Sequence, residues 1–397
     1  MLFCRTYARL VAVVVVAVGL VAGLGLTSSA EAATSDLSDK TTPTYQTNGR
    51  VSAIVTVGDT VYIGGDFTSV RPPGDAAGTG EVPRARLAAF SRTTGALLDW
   101  NPGASKSVYA LAASPDGSTI YVGGNFGQIG TTTRKHFAAV SASTGALTPL
   151  VANTDYKVFV ITATANRIYL GGNFTTVNSK PRASVAAVDP VTGAPDPTWA
   201  PSADNSVRAI TLSPDGTSIY LGGEFTTVNG ARQKNLAKVA VADGSLQGWT
   251  DHPGYPVWSI VVSGDQVYVG GNGSGGHAGS YSASGTRGWV TQTDGGVQAV
   301  ELFDGVLYVG GHFDNVCVGD TAGATTGFHC PTNAATRHKL LAVDPANGDL
   351  ADWNPGANSN LGVWSLAASG DRLHVGGDFT RIGHFHAQQG YATFSRS

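Results

Sequence analysis

The chain has 397 residues, with 25 Lys and Arg against 28 Asp and Glu, so its formal net charge is −3. This balance does not favour nucleic acid as a partner, because such a partner calls for a strongly basic surface. The 53 glycines, together with 13% charged and 42% hydrophobic residues, favour a folded chain with many tight turns. They exclude a disordered or collagen-like chain.

The first 32 residues have the pattern of a secretory signal peptide. Arg5 and Arg9 precede the apolar run 10–26, and Ala30-Glu31-Ala32 is a small-residue cleavage pattern. An uncleaved membrane anchor is the alternative, although the apolar run is short for a helix that needs about 20 residues to span a bilayer. We therefore expect a secreted protein with no transmembrane segment in the mature chain, and a short linker over 33–42.

The strongest pattern in the mature chain is a repeated motif, in which an aromatic residue and an aliphatic residue precede Gly-Gly. In the clearest copies a polar residue and Phe follow. The seven copies begin at Tyr62, Tyr121, Tyr169, Tyr220, Tyr268, Tyr308 and His374. Self-similarity at a period of roughly 50 residues is typical of solenoids and propellers.

Each copy predicts an antiparallel meander of four strands. In the fourth copy, an apolar segment from Val207 to Leu212 precedes the turn Pro214-Asp215-Gly216 and the Gly-Gly strand. A polar loop, a third strand, a second Gly turn and a segment ending at Trp249 follow. Asp-Gly between apolar runs favours a hairpin, because glycine tolerates the positive φ that such turns need.

These repeats predict an all-β, seven-bladed β-propeller over 43–397, since radial repetition buries each sheet against its neighbours. The last copy stops after its third strand, so we expect 43–47 to supply its fourth strand and close the ring. The recurrent Gly-Gly indicates a close approach of another group. The fifth copy has Gly273 in place of Phe, and we expect an irregular blade there.

The combined motif resembles the delta-60 repeat family of bacterial secreted β-propellers. The clearest copy runs from Ser213-Pro214-Asp215-Gly216 through Tyr220-Leu221-Gly222-Gly223-Glu224-Phe225 to Trp249. The resemblance covers 43–397 and implies the fold only, because the repeats of that family share no common chemistry.

Five arginines recur just before the predicted third strands. A ring of guanidinium groups could bind an acidic glycan, because Arg pairs with carboxylates through two hydrogen bonds. The alternative is a structural clasp, in which each Arg holds loop carbonyls or the residue after Gly-Gly. The arginines are Arg84, Arg134, Arg182, Arg232 and Arg337.

Histidines and cysteines in the last three copies supply the other candidates. His312, His384 and His386 could hold a divalent metal if His384 and His386 lie on one side of an extended segment. No fixed ligand spacing supports that site, so no cofactor is predicted. Cys317 and Cys330 favour a disulfide in an exported chain, with a metal pair as the alternative.

Tryptophans in the Trp-Asn-Pro-Gly turns at Trp100 and Trp353, together with Trp258 and Trp364, could stack on sugars or pack between blades. No catalytic motif appears. We therefore expect a monomeric, non-enzymatic binding or scaffold protein that holds an extracellular glycan or protein on its loop face. The alternatives are a polysaccharide hydrolase or lyase with a His-rich site on blades five to seven, and a purely structural envelope protein.

Overall fold

The computed structural model describes residues 35–273, 275–318, 330 and 334–396. The predicted signal peptide lies outside these residues. Within them every regular element is a β-strand and every pair of strands is antiparallel, so the protein has an all-β fold. Among the described residues, no helix is long and apolar enough to cross a membrane.

The described residues form seven main sheets, each with an inner strand, a central strand that carries Gly-Gly, and a third strand. The inner strands are Val51–Val57, Val108–Ala113, Val158–Ala163, Val207–Leu212, Val257–Ser263, Val297–Phe303 and Val363–Ser369. The Gly-Gly strands are Thr60–Gly65, Thr119–Gly124, Ile168–Gly172, Ser218–Gly223, Gln266–Gly273, Val306–Gly311 and Arg372–Gly377. The third strands are Leu87–Ser91, Phe137–Ser141, Val185–Val188, Leu236–Ala240, Gly275–Ser282, Leu340–Val343 and Tyr391–Arg396.

Among the described residues, six of the loops that follow a Gly-Gly strand contain short antiparallel strands, here called loop ribbons. Side chains from the preceding connection fix these loops; the Asp204 carboxylate, for example, accepts hydrogen bonds from the backbone N–H groups of Thr226 and Thr227. The ribbon strands are Gln46–Thr47, Ser69–Arg71 and Val82–Pro83; Gln128–Ile129 and Thr132–Thr133; Thr176–Val177 and Lys180–Pro181; Thr227–Val228 and Ala231–Arg232; Asn315–Cys317 and Ala334–Thr336; Ala357–Asn358, Arg381–Ile382 and His386–Ala387.

The predicted fourth strand is shorter than expected in most sheets. Full fourth strands are described only in the fifth sheet, as Arg287–Thr293, and in the seventh, as Leu37–Thr42. Elsewhere the segment makes a single bridge with the third strand. In the first sheet the Trp100 indole N–H then reaches the Ser141 carbonyl of the next sheet at 2.9 Å. The bridges are Phe90↔Leu97, Val140↔Leu147, Val188↔Pro195, Val239↔Leu246 and Val343↔Leu350.

The amino-terminal strand pairs with the last third strand, but it lies earlier in the chain than expected. Leu37–Thr42 pairs with Tyr391–Arg396, so this strand falls within the predicted linker 33–42. Residues 43–47 do not complete the seventh sheet. Pro43 has no N–H to continue the ladder, and Gln46–Thr47 pairs with Ser69–Arg71 of the first loop ribbon instead.

The Gly-Gly pairs mark two close approaches, as the sequence predicted. A Cβ on Gly64 would lie 2.5 Å from Cγ1 of Val108 in the next sheet, and a Cβ on Gly65 would lie 2.0 Å from the Arg50 carbonyl oxygen. The first contact recurs in all seven described sheets and ends with Gly376 against Val51 at 2.7 Å. Each inner strand correspondingly contacts the inner strand of the next sheet, and the seventh contacts the first.

The fifth sheet departs from the others, at the copy where Gly273 replaces Phe. Its Gly-Gly strand pairs with its third strand over the full length of both, with no loop ribbon between them. Tyr255 packs against Gly271, the position that a Phe ring contacts in other sheets. His277 stacks on Tyr255 with ring centroids 4.1 Å apart, and burial lowers the pKa of His277 to about 4.

The close approach at Gly64 can be tested by a double-mutant cycle. Gly64→Ala should lower the free energy of unfolding by about 1 to 3 kcal/mol, because the new methyl group overlaps Val108. Val108→Ala removes the overlapping atoms, so the two changes should be strongly non-additive in urea unfolding. Gly127→Ala is the matched control, since a Cβ there would meet nothing within 4 Å. Additive effects of the first pair would refute the contact.

The seventh sheet has His374 where the other six have Tyr. The buried ring makes two hydrogen bonds of 2.8 Å, one between Nε2 and Ser369 Oγ and one between Nδ1 and Tyr391 Oη. Burial and, to a smaller extent, the nearby Arg372 lower the pKa of His374 to about 4. The folded protein therefore keeps this imidazole neutral at pH values where an unfolded chain would protonate it.

This depressed pKa predicts a loss of stability in acid. The contribution of His374 is complete above its unfolded pKa of about 6.5 and falls as the pH decreases towards 4, by roughly 2 to 3 kcal/mol in total. The double variant His374→Tyr/Tyr391→Leu copies the pair Tyr308 and Leu340 of the sixth sheet. Urea unfolding at pH 7 and pH 4.5 should show a smaller loss in this variant than in the wild type; equal losses would contradict the assignment.

Candidate ligand-binding cavity

The second residues of the inner strands converge on one cavity. Each inner strand begins with a fully buried Val, and pairing with the Gly-Gly strand then skips one residue, as in a β-bulge. A bulge turns the extra side chain away from the regular ladder. These residues, with Arg50 and Lys157, line a cavity of about 290 Å³; they are Ser52, Tyr109, Phe159, Arg208, Trp258, Gln298 and Trp364.

The cavity residues are of six types at the seven positions, with Trp in both the fifth and the seventh sheet, whereas the residue before each of them is always Val. The Val has the same packing task in every sheet, because it fills the space beside a Gly of the preceding sheet. The following residue has no packing role that all seven sheets share, so its identity can differ between sheets in a way that suits a ligand. The position therefore carries aromatic, cationic and neutral polar side chains in different sheets.

Aromatic rings hold the two arginines of the cavity. The Arg208 guanidinium lies 4.1 Å from the ring centroid of Phe159 and 5.0 Å from that of Trp258. Arg50 lies 4.5 Å from the Trp364 centroid. Such cation–π contacts orient the guanidinium groups and keep the rings in place.

Both arginines also have a carboxylate partner. Arg208 Nη2 lies 2.9 Å from Glu224 Oε1, and Arg50 forms an ion pair with Asp66. Lys157 differs, because no carboxylate of the described residues lies within ion-pair distance of it; its ammonium group lies 5.2 Å from the Tyr156 ring centroid. The lining therefore carries one uncompensated positive charge.

Several polar atoms of the lining are buried without a hydrogen-bond partner among the described residues. Ser52 and Gln298 are only 9% and 8% exposed, and both Ser52 Oγ and Gln298 Oε1 lack a partner. The indole Nε1 atoms of Trp258 and Trp364 also lack one. Each such group costs about 1 to 3 kcal/mol when it is left unsatisfied. These atoms have almost no accessible surface, so they lie just beneath the cavity wall, and a ligand bonds to them only when the side chains that cover them shift.

The other five tryptophans behave differently, since each donates its indole N–H to a backbone carbonyl. Trp100 and Trp353, proposed above as possible sugar platforms, are 3% exposed and bond to Ser141 and Ser38. These contacts favour the interblade packing interpretation for both. The remaining bonds are Trp199 to Ala240, Trp249 to Asp251 and Trp289 to Pro345.

Four of the five predicted arginines hold the backbone. The Arg84 guanidinium donates to the carbonyl oxygens of Pro83 and Leu98, both at 2.9 Å. Arg134, Arg182 and Arg337 repeat this pattern with the preceding carbonyl and a carbonyl of the fourth segment. The contacts favour the clasp interpretation, and a role of these arginines in ligand binding stays a prediction.

Arg232 does not share this arrangement. It is exposed and lies one residue earlier in the repeat, so that Gln233 occupies the position of the clasping arginines. The seventh sheet has Gln388 there, and its amide donates to the Tyr391 carbonyl at 2.6 Å. The predicted ring of five equivalent arginines is therefore a set of four.

The histidine candidates occupy separate local environments. His312 Nε2 accepts a hydrogen bond from the Gly296 N–H at 3.1 Å, and burial lowers its pKa. His384 is 52% exposed and lies 3.8 Å from an Asp39 carboxylate oxygen. His384 and Phe385 both have positive φ, so the segment to His386 is a turn and not the extended segment that the metal hypothesis required.

No group of three His, Cys, Asp or Glu side chains suited to a metal ion occurs in the described part of the chain. The metal hypothesis stays a prediction. Cys317 and Cys330 lie at disulfide distance, with Cα atoms 5.1 Å apart, as the sequence predicted. The insertion between these cysteines lies outside the described residues from 319 to 329, and so does His329.

Sequence reasoning named Trp258 and Trp364 but missed the rest of the cavity. The sequence feature that marks the cavity is the residue after the first Val of each inner strand, which is aromatic, cationic or polar in every copy. Recognising it required the knowledge that a bulge interrupts the strand there, because regular alternation would place that side chain between sheets.

No protein-family model and no curated protein matches the chain. Among solved structures, the computationally designed Ika8 protein is 13% identical with a TM-score of 0.52, over 89% of this chain and 98% of that chain. The structure of U3-55K is 12% identical with a TM-score of 0.56, over 90% of this chain and 100% of that chain. At these identities the likeness concerns the overall fold alone.

The clasp interpretation predicts that loss of a clasping arginine lowers the stability of the fold. Arg134→Met should lower the free energy of unfolding by about 1 to 2 kcal/mol, because a methionine side chain has no N–H group to donate to the two carbonyls. Arg232→Met, at an exposed position, should change it by less than about 0.5 kcal/mol. Urea unfolding measures both. Unchanged stability of the Arg134 variant would contradict the clasp.

Proposed function

We propose that the seven sheets are the blades of a β-propeller, with the amino-terminal strand completing the last blade. Support comes from the cycle of inner-strand contacts that returns from Val363–Ser369 to Val51–Val57, and from the Gly–Val contact that recurs at each step of it. The delta-60 resemblance agrees with this arrangement. A propeller gives one shared cavity where its inner strands begin.

We further propose that the protein is a secreted, non-enzymatic binding protein that holds a glycan in this cavity. The inner strands begin where connections arrive from the preceding sheet, so the cavity belongs to the loop face. The observation that carries the proposal is that Trp258 and Trp364 lie side by side in the cavity lining, with ring centroids 6.2 Å apart. Their indole N–H groups have no partner among the described residues, whereas the other five tryptophans each donate to a backbone carbonyl. Secretion is supported by the signal-peptide pattern and the Cys317–Cys330 pair.

The chemistry of the lining suits a sugar. Indole faces match the apolar faces of sugar rings, and the indole N–H adds a polar handle. Ser52 and Gln298 add further hydrogen-bonding groups for hydroxyls. A small number of placed polar groups within an aromatic wall is typical of small-molecule pockets.

Glycan-array binding of the mature chain tests this proposal. We expect Trp364→Ala to weaken glycan binding at least tenfold, because it removes both the stacking surface and the N–H donor, whereas Trp364→Phe should weaken it less. Val191→Ala, which changes an exposed residue outside the cavity lining, is the control variant and should bind glycans as the wild type does. Thermal unfolding of each variant separates lost binding from lost folding. Binding that survives Trp364→Ala would place the ligand elsewhere.

A further inference from the structure

We propose that the glycan held in this cavity is acidic, and that the carboxylate of a uronic acid unit binds to the Lys157 ammonium group while its ring lies against Trp258 and Trp364. The inference rests on the proposed function and adds the chemical class of the ligand and its orientation.

The charge distribution selects Lys157 as the anion-binding group. Arg50 and Arg208 already face Asp66 and Glu224, and those carboxylates would repel a second anion. Lys157 has no carboxylate partner among the described residues and lines the same cavity. A cation at the wall of a partly enclosed cavity gains most from a ligand that brings the missing negative charge.

A single lysine also fits a single carboxylate better than a phosphate. Phosphate recognition favours the forked guanidinium of Arg, and both arginines of the cavity are engaged by carboxylates and aromatic rings. The ammonium group of Lys acts as a point charge with rotatable donors. The arrangement therefore favours a ligand with one negative charge and several neutral polar groups.

The neutral polar groups lie away from Lys157 in the fold. Lys157 comes from the third sheet, whereas Trp258, Gln298 and Trp364 come from the fifth, sixth and seventh. The centroids of Trp258 and Trp364 lie 6.2 Å apart with planes inclined by 34°, so the two rings are neighbours in the lining. Their two N–H donors and the Gln298 Oε1 acceptor lie just beneath the wall without a partner among the described residues, and small side-chain shifts would bring them to sugar hydroxyls, which both donate and accept.

The size of the cavity limits the ligand. Its volume of about 290 Å³ is at the lower end of the range for small-molecule sites, which begins at about 300 Å³. One or two sugar units would fill it, and a longer chain would extend outwards past the loops. We therefore expect terminal or short acidic units to determine affinity.

Calorimetric titration with two matched probes tests the proposal. The probes are the methyl glycoside of galacturonic acid, which carries one carboxylate, and its methyl ester, which has the same ring but no charge. We expect the wild type to bind the acid at least tenfold more tightly than the ester, since a charge-assisted hydrogen bond contributes about that factor. Added salt should weaken binding of the acid and leave the ester unaffected.

Lys157→Gln should remove the preference for the acid, and Lys157→Arg should keep most of it. Lys180→Gln, an exposed lysine on a loop ribbon, is the control and should retain the wild-type preference. If the acid and the ester bind equally and both respond to Trp364→Ala, the charge proposal is refuted while the glycan site stands. If neither probe binds although the array finds a neutral glycan, the acidic class is refuted. If no glycan binds at all, the proposed function fails with it.

Discussion

The contact between a Gly of one sheet and a Val of the next is the constraint on which the other features depend. At Gly64 and Val108 the neighbouring sheet lies so close that even a methyl group on the glycine would overlap the valine. The same contact recurs around all seven described sheets. It requires a residue without a side chain on one partner and a small branched residue on the other. This pair sets the spacing between sheets and therefore the size of the space at their inner edges.

That spacing makes the cavity possible. The valines fill the space between neighbouring sheets. The bulge turns the next side chain of each inner strand away from that space, so this side chain does not have to pack between the sheets. Tyr109, Arg208 and Trp258 occupy equivalent positions yet belong to three chemical classes. The repeat thus supplies a rigid frame with a separate side chain from each sheet, and rigid placement of a few groups lowers the entropic cost of binding a ligand.

The arginine clasps and loop caps hold the surrounding loops. Arg84 bridges two carbonyls, and Asp204 caps two backbone N–H groups, so these charged groups are engaged in backbone contacts. The seventh sheet, which contacts the first, differs from the other sheets. There His374 and Tyr391 form a buried hydrogen bond, and Leu37–Thr42 pairs with Tyr391–Arg396, so the seventh sheet contains strands from both ends of the described chain.

The sequence by itself determined the all-β repeat, the Gly-Gly close approach, the departure of the fifth copy and the Cys317–Cys330 pair. These features depend on short-range patterns or on a motif that recurs in each copy. Only the tertiary structure decided that Leu37–Thr42 and not 43–47 completes the last sheet, and that Lys157 and Trp364 line one cavity. Residues from different copies meet there because the sheets pack around a common space, and no local pattern records which side chains a bulge turns towards it.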